Sequence, residues 1–167
     1  MGIKISFIKC LFLLLTALFI NCIAEVQEVY ADSISTNIVR VGITDTKFQN
    51  VLRSNVIVYG TSDCEICDKE SRRVIAKIPA DVDICITNES NGLQVVVGNE
   101  GQIFRDIVII CPQGLLGVRG LTRKGLQALY HGAFEVNQKS DRSGFYLVNL
   151  VELQEYLKGV VPNEMPV

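Results

Sequence analysis

The sequence predicts an α+β fold, with short, mostly antiparallel β-strands followed by a short C-terminal helix and preceded by an N-terminal signal helix. Three observations carry this reading. Short β-branched runs recur from Ser35 onward, turn signals rich in Asn, Gly and Pro separate them, and a helical pattern appears only near residues 150–158.

Residues 1–31 have the composition of an export signal. Lys4 and Lys9 make a positive start, Leu11 to Ile20 form an apolar run, and Val29, Tyr30 and Ala31 read as a small-residue cleavage site before Asp32. The rival reading is an uncleaved anchor, since Cys10 to Ala24 is nearly all apolar; Asn21 interrupts that run, which falls short of a comfortable span. A lipid-modified Cys22 is a poorer reading, because Asn21 stands where a small residue is wanted. On each reading the remainder is exported and faces outward, and touches the membrane only through this segment. Residues 32–167 suffice for one domain with its own core. The net charge of −2 argues against a nucleic-acid partner, which requires a basic surface.

Strands are expected at 38–43, 55–59, 64–68, 74–78, 83–87, 93–97, 103–111 and 115–118, where β-branched residues cluster or alternate. The charged residues Lys69 to Arg73 read as the connection of a hairpin, and Pro79 closes its second strand. Asn91-Gly92, Asn99-Glu100-Gly101 and Pro112-Gln113-Gly114 mark turns. Residues 121–130 could form one more short helix, although Gly120 and Gly125 count against it. A last strand pair is expected at 132–136 and 145–148. The C-terminal helix then has Asn149 as its cap and Glu152 completing a capping box, with Leu150, Leu153 and Leu157 on one face. Lys158 suits the last turn, Gly159 the terminating position with positive φ, and Pro162 blocks continuation. A short loop is thus expected to present Glu164 between Val160, Val161 and Met165. By residue chemistry alone Glu164 reads as a solvated carboxylate.

The same tail carries a resemblance. Tyr130-His131-Gly132, then Val148-Asn149, the Leu153, Tyr156, Leu157 pattern and Gly159-Val160-Val161-Pro162-Asn163-Glu164-Met165-Pro166 resemble the SpoIID/LytB family, over about forty residues. The resemblance implies cleavage of peptidoglycan glycan strands by a lytic transglycosylase in wall remodelling or sporulation, with Glu164 as the catalytic acid and base. One carboxylate suffices for that reaction, because a hydroxyl of the muramic sugar itself attacks the anomeric carbon, whereas ordinary glycosidases use two. Glu164 must then start protonated, with a pKa above the ordinary carboxylate range, as burial against apolar neighbours provides. In the family the block is followed by a further helix, and this sequence stops at Val167, so the expectation for the chain as written is weak or no activity. The LytB side of the family suggests the alternative of a non-catalytic wall-binding module that modifies a cell-wall amidase. The partners implied are glycan strands and such an amidase, with no cofactor.

The cysteines offer other chemistry. Cys64-Glu65-Ile66-Cys67 after a strand also resembles a thioredoxin active site, although Pro79 and the alternation from Arg72 to Ile78 count against the helix that such a motif opens. Cys64, Cys67, Cys85 and Cys111 could hold zinc, but the second pair lacks the close spacing of a zinc ribbon. Disulfides or buried thiols are the remaining reading, and the sequence does not choose among the three pairings that four cysteines allow. His131, the one histidine, reads as a surface turn residue. Tyr130 and Tyr156 are candidates for a sugar groove, with core packing the safer reading for Tyr156.

Overall fold

The structure, a computed structural model, describes residues 37–45, 47 and 49–164, with side chains as far as 159. The chain divides into two compact units, Met1–Asn37 and Ile38–Val167. Apart from Asn37 the first lies outside the described residues, and the predicted signal helix with it.

The second unit is built from β1 (Ile38–Gly42), β2 (Leu52–Arg53), β3 (Asn55–Gly60), β4 (Cys64–Asp68), β5 (Val74–Ile78), β6 (Ile84–Glu89) and β7 (Gly92–Val97). There follow β8 (Glu100–Phe104), β9 (Asp106–Ile110), β10 (Leu116–Arg123), β11 (Leu126–Tyr130), β12 (Ala133–Gln138), β13 (Phe145–Glu152) and the helix α1 (Leu153–Glu164). The strands form two sheets whose pairings are antiparallel throughout. One runs β1-β13-β12-β9-β4-β5, with β2 also paired to β13, and the other runs β11-β10-β3-β6-β7-β8. The fold is therefore mostly antiparallel β with one C-terminal helix.

Alternation along each strand explains why the two sheets form a sandwich. Val56 and Val58 of β3, Ile84 and Ile86 of β6, and Leu116 and Val118 of β10 point inward from one sheet. Ile66, Ile107, Ile109, Phe134, Val136, Phe145 and Leu147 point inward from the other and join the same core cluster. Burying these faces against each other is what holds the layers together, at about 1.5–3 kcal/mol for each large apolar side chain. The chain passes repeatedly from sheet to sheet, and one such passage divides a single predicted strand. The apolar run at 103–111 breaks at Arg105, so that β8 ends one sheet and β9 lies inside the other.

The predicted hairpin of 64–68 and 74–78 is present, with Cys64 opposite Ile78 and Cys67 opposite Val74. Residues 121–130 are a hairpin rather than a helix: Arg123 pairs with Leu126 across the two-residue turn of Lys124 (φ 52°) and Gly125 (φ 79°). Positive φ at both central residues gives the twist that a tight β-turn requires.

The C-terminal helix differs from the predicted span in both ends. Asn149 is not a cap and forms no capping box with Glu152, because both lie in β13, where Asn149 pairs with Val41 on one side and Phe134 on the other. The ladder with β1 continues to Ile38 opposite Glu152, so strand pairing overrides the local helix-start signal. At the other end, α1 continues through Gly159, which does not take the expected positive φ, and through Pro162, near its last turn. A proline there removes one helical hydrogen bond, which a terminal turn tolerates better than a helix centre.

Candidate functional site

An open cavity of about 690 Å³ lies where the chain crosses between the sheets, lined by residues 61–65, 77–80 and 112–113. The β3–β4 turn forms its floor. Thr61 is tied to the β9–β10 connection twice: its N–H donates to the Leu115 carbonyl at 2.9 Å, and its hydroxyl accepts from Leu115 N–H at 2.9 Å. Asp63 accepts from Ala80 N–H at 3.1 Å and so holds the opposite wall. Gly114 permits this closeness, since a Cβ there would stand 2.7 Å from both the Ser62 and Thr61 hydroxyl oxygens. Lys77 and Glu65, cross-strand neighbours on β5 and β4, pair at 3.2 Å along the rim.

Two cysteines meet beneath this turn. Cys64 and Cys111 are both buried in the core cluster, and Ser62 Oγ lies 3.2 Å from Cys111 Sγ. Burial pushes the Cys64 thiol up to about 12, with the adjoining Cys111 adding to the effect, so Cys64 is not an activated nucleophile. Cys67 and Cys85 lie elsewhere. Ile66 points into the core, and Cys67, itself buried, pairs with Val108 on the opposite face of its sheet; Cys85, between the inward Ile84 and Ile86, faces out of the other sheet. The thioredoxin reading is thereby corrected, because Cys64 and Cys67 sit on opposite faces of an antiparallel strand with no helix following them. The zinc reading fails on the same geometry, and among the described residues no group of three His, Cys, Asp or Glu side chains could hold a metal ion.

A second polar cluster was not foreseen. Glu135, in the middle of β12, is 2% exposed, with Lys69 Nζ at 2.5 Å from Oε1 and Arg40 Nη1 at 2.6 Å from Oε2. The Arg40 contact is an ion pair without hydrogen-bond geometry, which leaves Oε2 without a hydrogen-bonded partner. Lys69 also donates to Asn137 Oδ1 at 2.5 Å. Burial alone would raise the Glu135 pKa, but the Lys69 hydrogen bond and charge, with the Arg40 charge, outweigh it and hold the carboxyl below its ordinary range. Nothing local in sequence signals this, since Arg40 and Lys69 come from β1 and the end of β4, two strands away on either side.

Every carboxyl group with a displaced pKa among the described residues is shifted downward. Asp45 is lowered chiefly by the Gln49 N–H, Asp68 by the Ser71 hydroxyl, Asp141 by Lys139 and Glu155 by Lys158. None of these five groups is prepared as a neutral acid. Glu164 is the last residue of α1, and its side chain lies outside the described residues. His131 is an exposed residue in the bend between β11 and β12, as expected. Tyr130 is committed to packing, its ring edge-on to Phe134 at 5.5 Å, and Tyr156 is half-buried on α1. No protein-family model, curated protein or solved structure matches the chain.

Proposed function

We propose that this protein is an exported cell-wall protein of the SpoIID/LytB type, acting on peptidoglycan glycan strands as a lytic transglycosylase with Glu164 as acid and base. The observation that carries this reading is the block from Gly159 to Pro166, together with Tyr130-His131-Gly132. Residues 1–31 carry it to the outside of the membrane as a signal peptide. The mechanism requires Glu164, in the last turn of α1, to begin protonated and to donate to the glycosidic oxygen. Glu164 would then take a proton from the attacking sugar hydroxyl and be ready for another cycle.

The test is incubation of the protein with purified peptidoglycan, followed by mass analysis of the soluble products. In a version of the chain extended by the helix that follows this block in the family, anhydro-muropeptides should appear and should vanish with Glu164→Gln; equal release by both would remove Glu164 from the mechanism.

A non-catalytic wall-binding or amidase-modifying module is the second reading. It is favoured by the carboxyl groups of the sandwich that are held ionised, and by a cavity wall of hydroxyl, carboxylate, ammonium and amide groups suited to sugar hydroxyls. Co-sedimentation with peptidoglycan without anhydro products would select this reading, and absence of both would eliminate the two together.

A further inference from the structure

Glu65 of β4 pairs with Ile110 of β9, so Cys64 and Cys111 oppose each other one step beyond, at the end of the same antiparallel ladder. Both side chains turn to the core side, where each sulfur lies 3.5 Å from the Ser62 carbonyl oxygen. They also crowd a common point. A Cβ added to Gly60 would collide with Cys64 Sγ and stand 3.1 Å from Cys111 Sγ. Directly opposed residues of an antiparallel pair have Cβ atoms about 4.5–5.5 Å apart, and a disulfide needs about 3.5–4.5 Å, so a small approach of the two strand ends completes the bond. The other two cysteines of the sandwich cannot compete, since Cys67 lies on the opposite face of its sheet and Cys85 faces out of the other sheet.

We propose that Cys64 and Cys111 are a redox-active pair that closes to an intramolecular disulfide, stapling the floor of the cavity. The inference stands independently of the wall-protein reading. The oxidant is a small or protein disulfide, such as oxidised glutathione or an exported thiol oxidase. One cysteine thiolate attacks a sulfur of the oxidant and expels a thiol, and its neighbour then attacks the mixed disulfide and expels the second. Two S–H bonds are lost, one S–S bond forms in the protein, and the oxidant's S–S bond is reduced to two thiols. The oxidant reaches the pair through the cavity, which Cys64 lines. Burial of Cys64 makes the exchange slow at neutral pH and faster as pH rises.

The full chain is treated with oxidised glutathione, alkylated under denaturing conditions and digested with trypsin. The expected product is a link between the peptides spanning 54–69 and 106–119, with two thiols withdrawn from alkylation; a second cleavage after Glu65 assigns the link to Cys64 rather than Cys67. Cys111→Ser should abolish the link, while Cys67→Ser and Cys85→Ser should keep it. Full alkylation of both cysteines after oxidation, or a link through Cys67 or Cys85, overturns the proposal. Because the mapping is made on the parent chain, a poorly folding Cys111→Ser variant does not weaken the test.

Discussion

Replacing Glu135 by Gln removes a buried carboxylate that ties three strands of a sheet together, and its cost follows from the surroundings. The carboxylate is 2% exposed, while its cations are 57% (Arg40) and 37% (Lys69) exposed. Breaking a buried ion pair costs about 3–5 kcal/mol when it strands a buried charge, and an exposed pair contributes no more than about 1 kcal/mol. Here the stranded charges can rotate into water, and Lys69 keeps its hydrogen bond to Asn137, so the loss lies between these limits, at about 2 kcal/mol near neutral pH. For a domain of this size that lowers Tm by roughly 6–8 °C. The pH dependence gives a second check. The folded pKa of Glu135 lies below its unfolded value, so its contribution is complete above the unfolded value of about 4.3 and is lost as pH falls through the folded one. Thermal or urea denaturation of parent and Glu135→Gln should therefore diverge at pH 7 and converge at an acid pH below the folded pKa of Glu135. Equal stability at pH 7, or a gap that is the same at both pH values, would refute an electrostatic role for Glu135.

Two further outcomes are expected. Gly132 has φ 87° and a Cβ there would run into the Leu150 carbonyl, whereas Gly120, at φ 74°, faces open space. Gly120→Ala should then lose about 1 kcal/mol from left-handed strain, and Gly132→Ala distinctly more, as read by urea denaturation; equal losses would refute the close approach. If Cys64 and Cys111 close a disulfide, the oxidised chain should exceed the reduced one by about 4 kcal/mol on the chain-entropy argument. A scan with and without dithiothreitol reads this, and a Cys64→Ser, Cys111→Ser double variant should lose the difference.

Much of the strand framework was legible because alternation reports which face of a strand is buried. The spans 64–68 and 74–78 coincide with β4 and β5, and the charged segment between them is their connection. Where reading failed, a partner distant in the chain decided the outcome. Asn149 and Glu152 form a good local start for a helix, yet β1, more than a hundred residues earlier, extends the strand through both. Gly125 discourages a helix but does not reveal that Lys124 shares its positive φ in a two-residue turn. The site was less legible still. The four cysteines from Cys64 to Cys111 allow three pairings in sequence, and strand register with side-chain face places only Cys64 and Cys111 together.

By itself, the sequence determined the class of this fold: antiparallel strands in quantity and a helix at the end. Those features are local, written in alternation, turn residues and contiguous motifs. Only the tertiary structure decided that the strands divide into two sheets, that Glu135 is buried between two cations, and that one pair of thiols shares a carbonyl beneath a cavity. Such features depend on which strands are neighbours, and neighbourhood in a sandwich is set by burial of whole faces rather than by proximity along the chain.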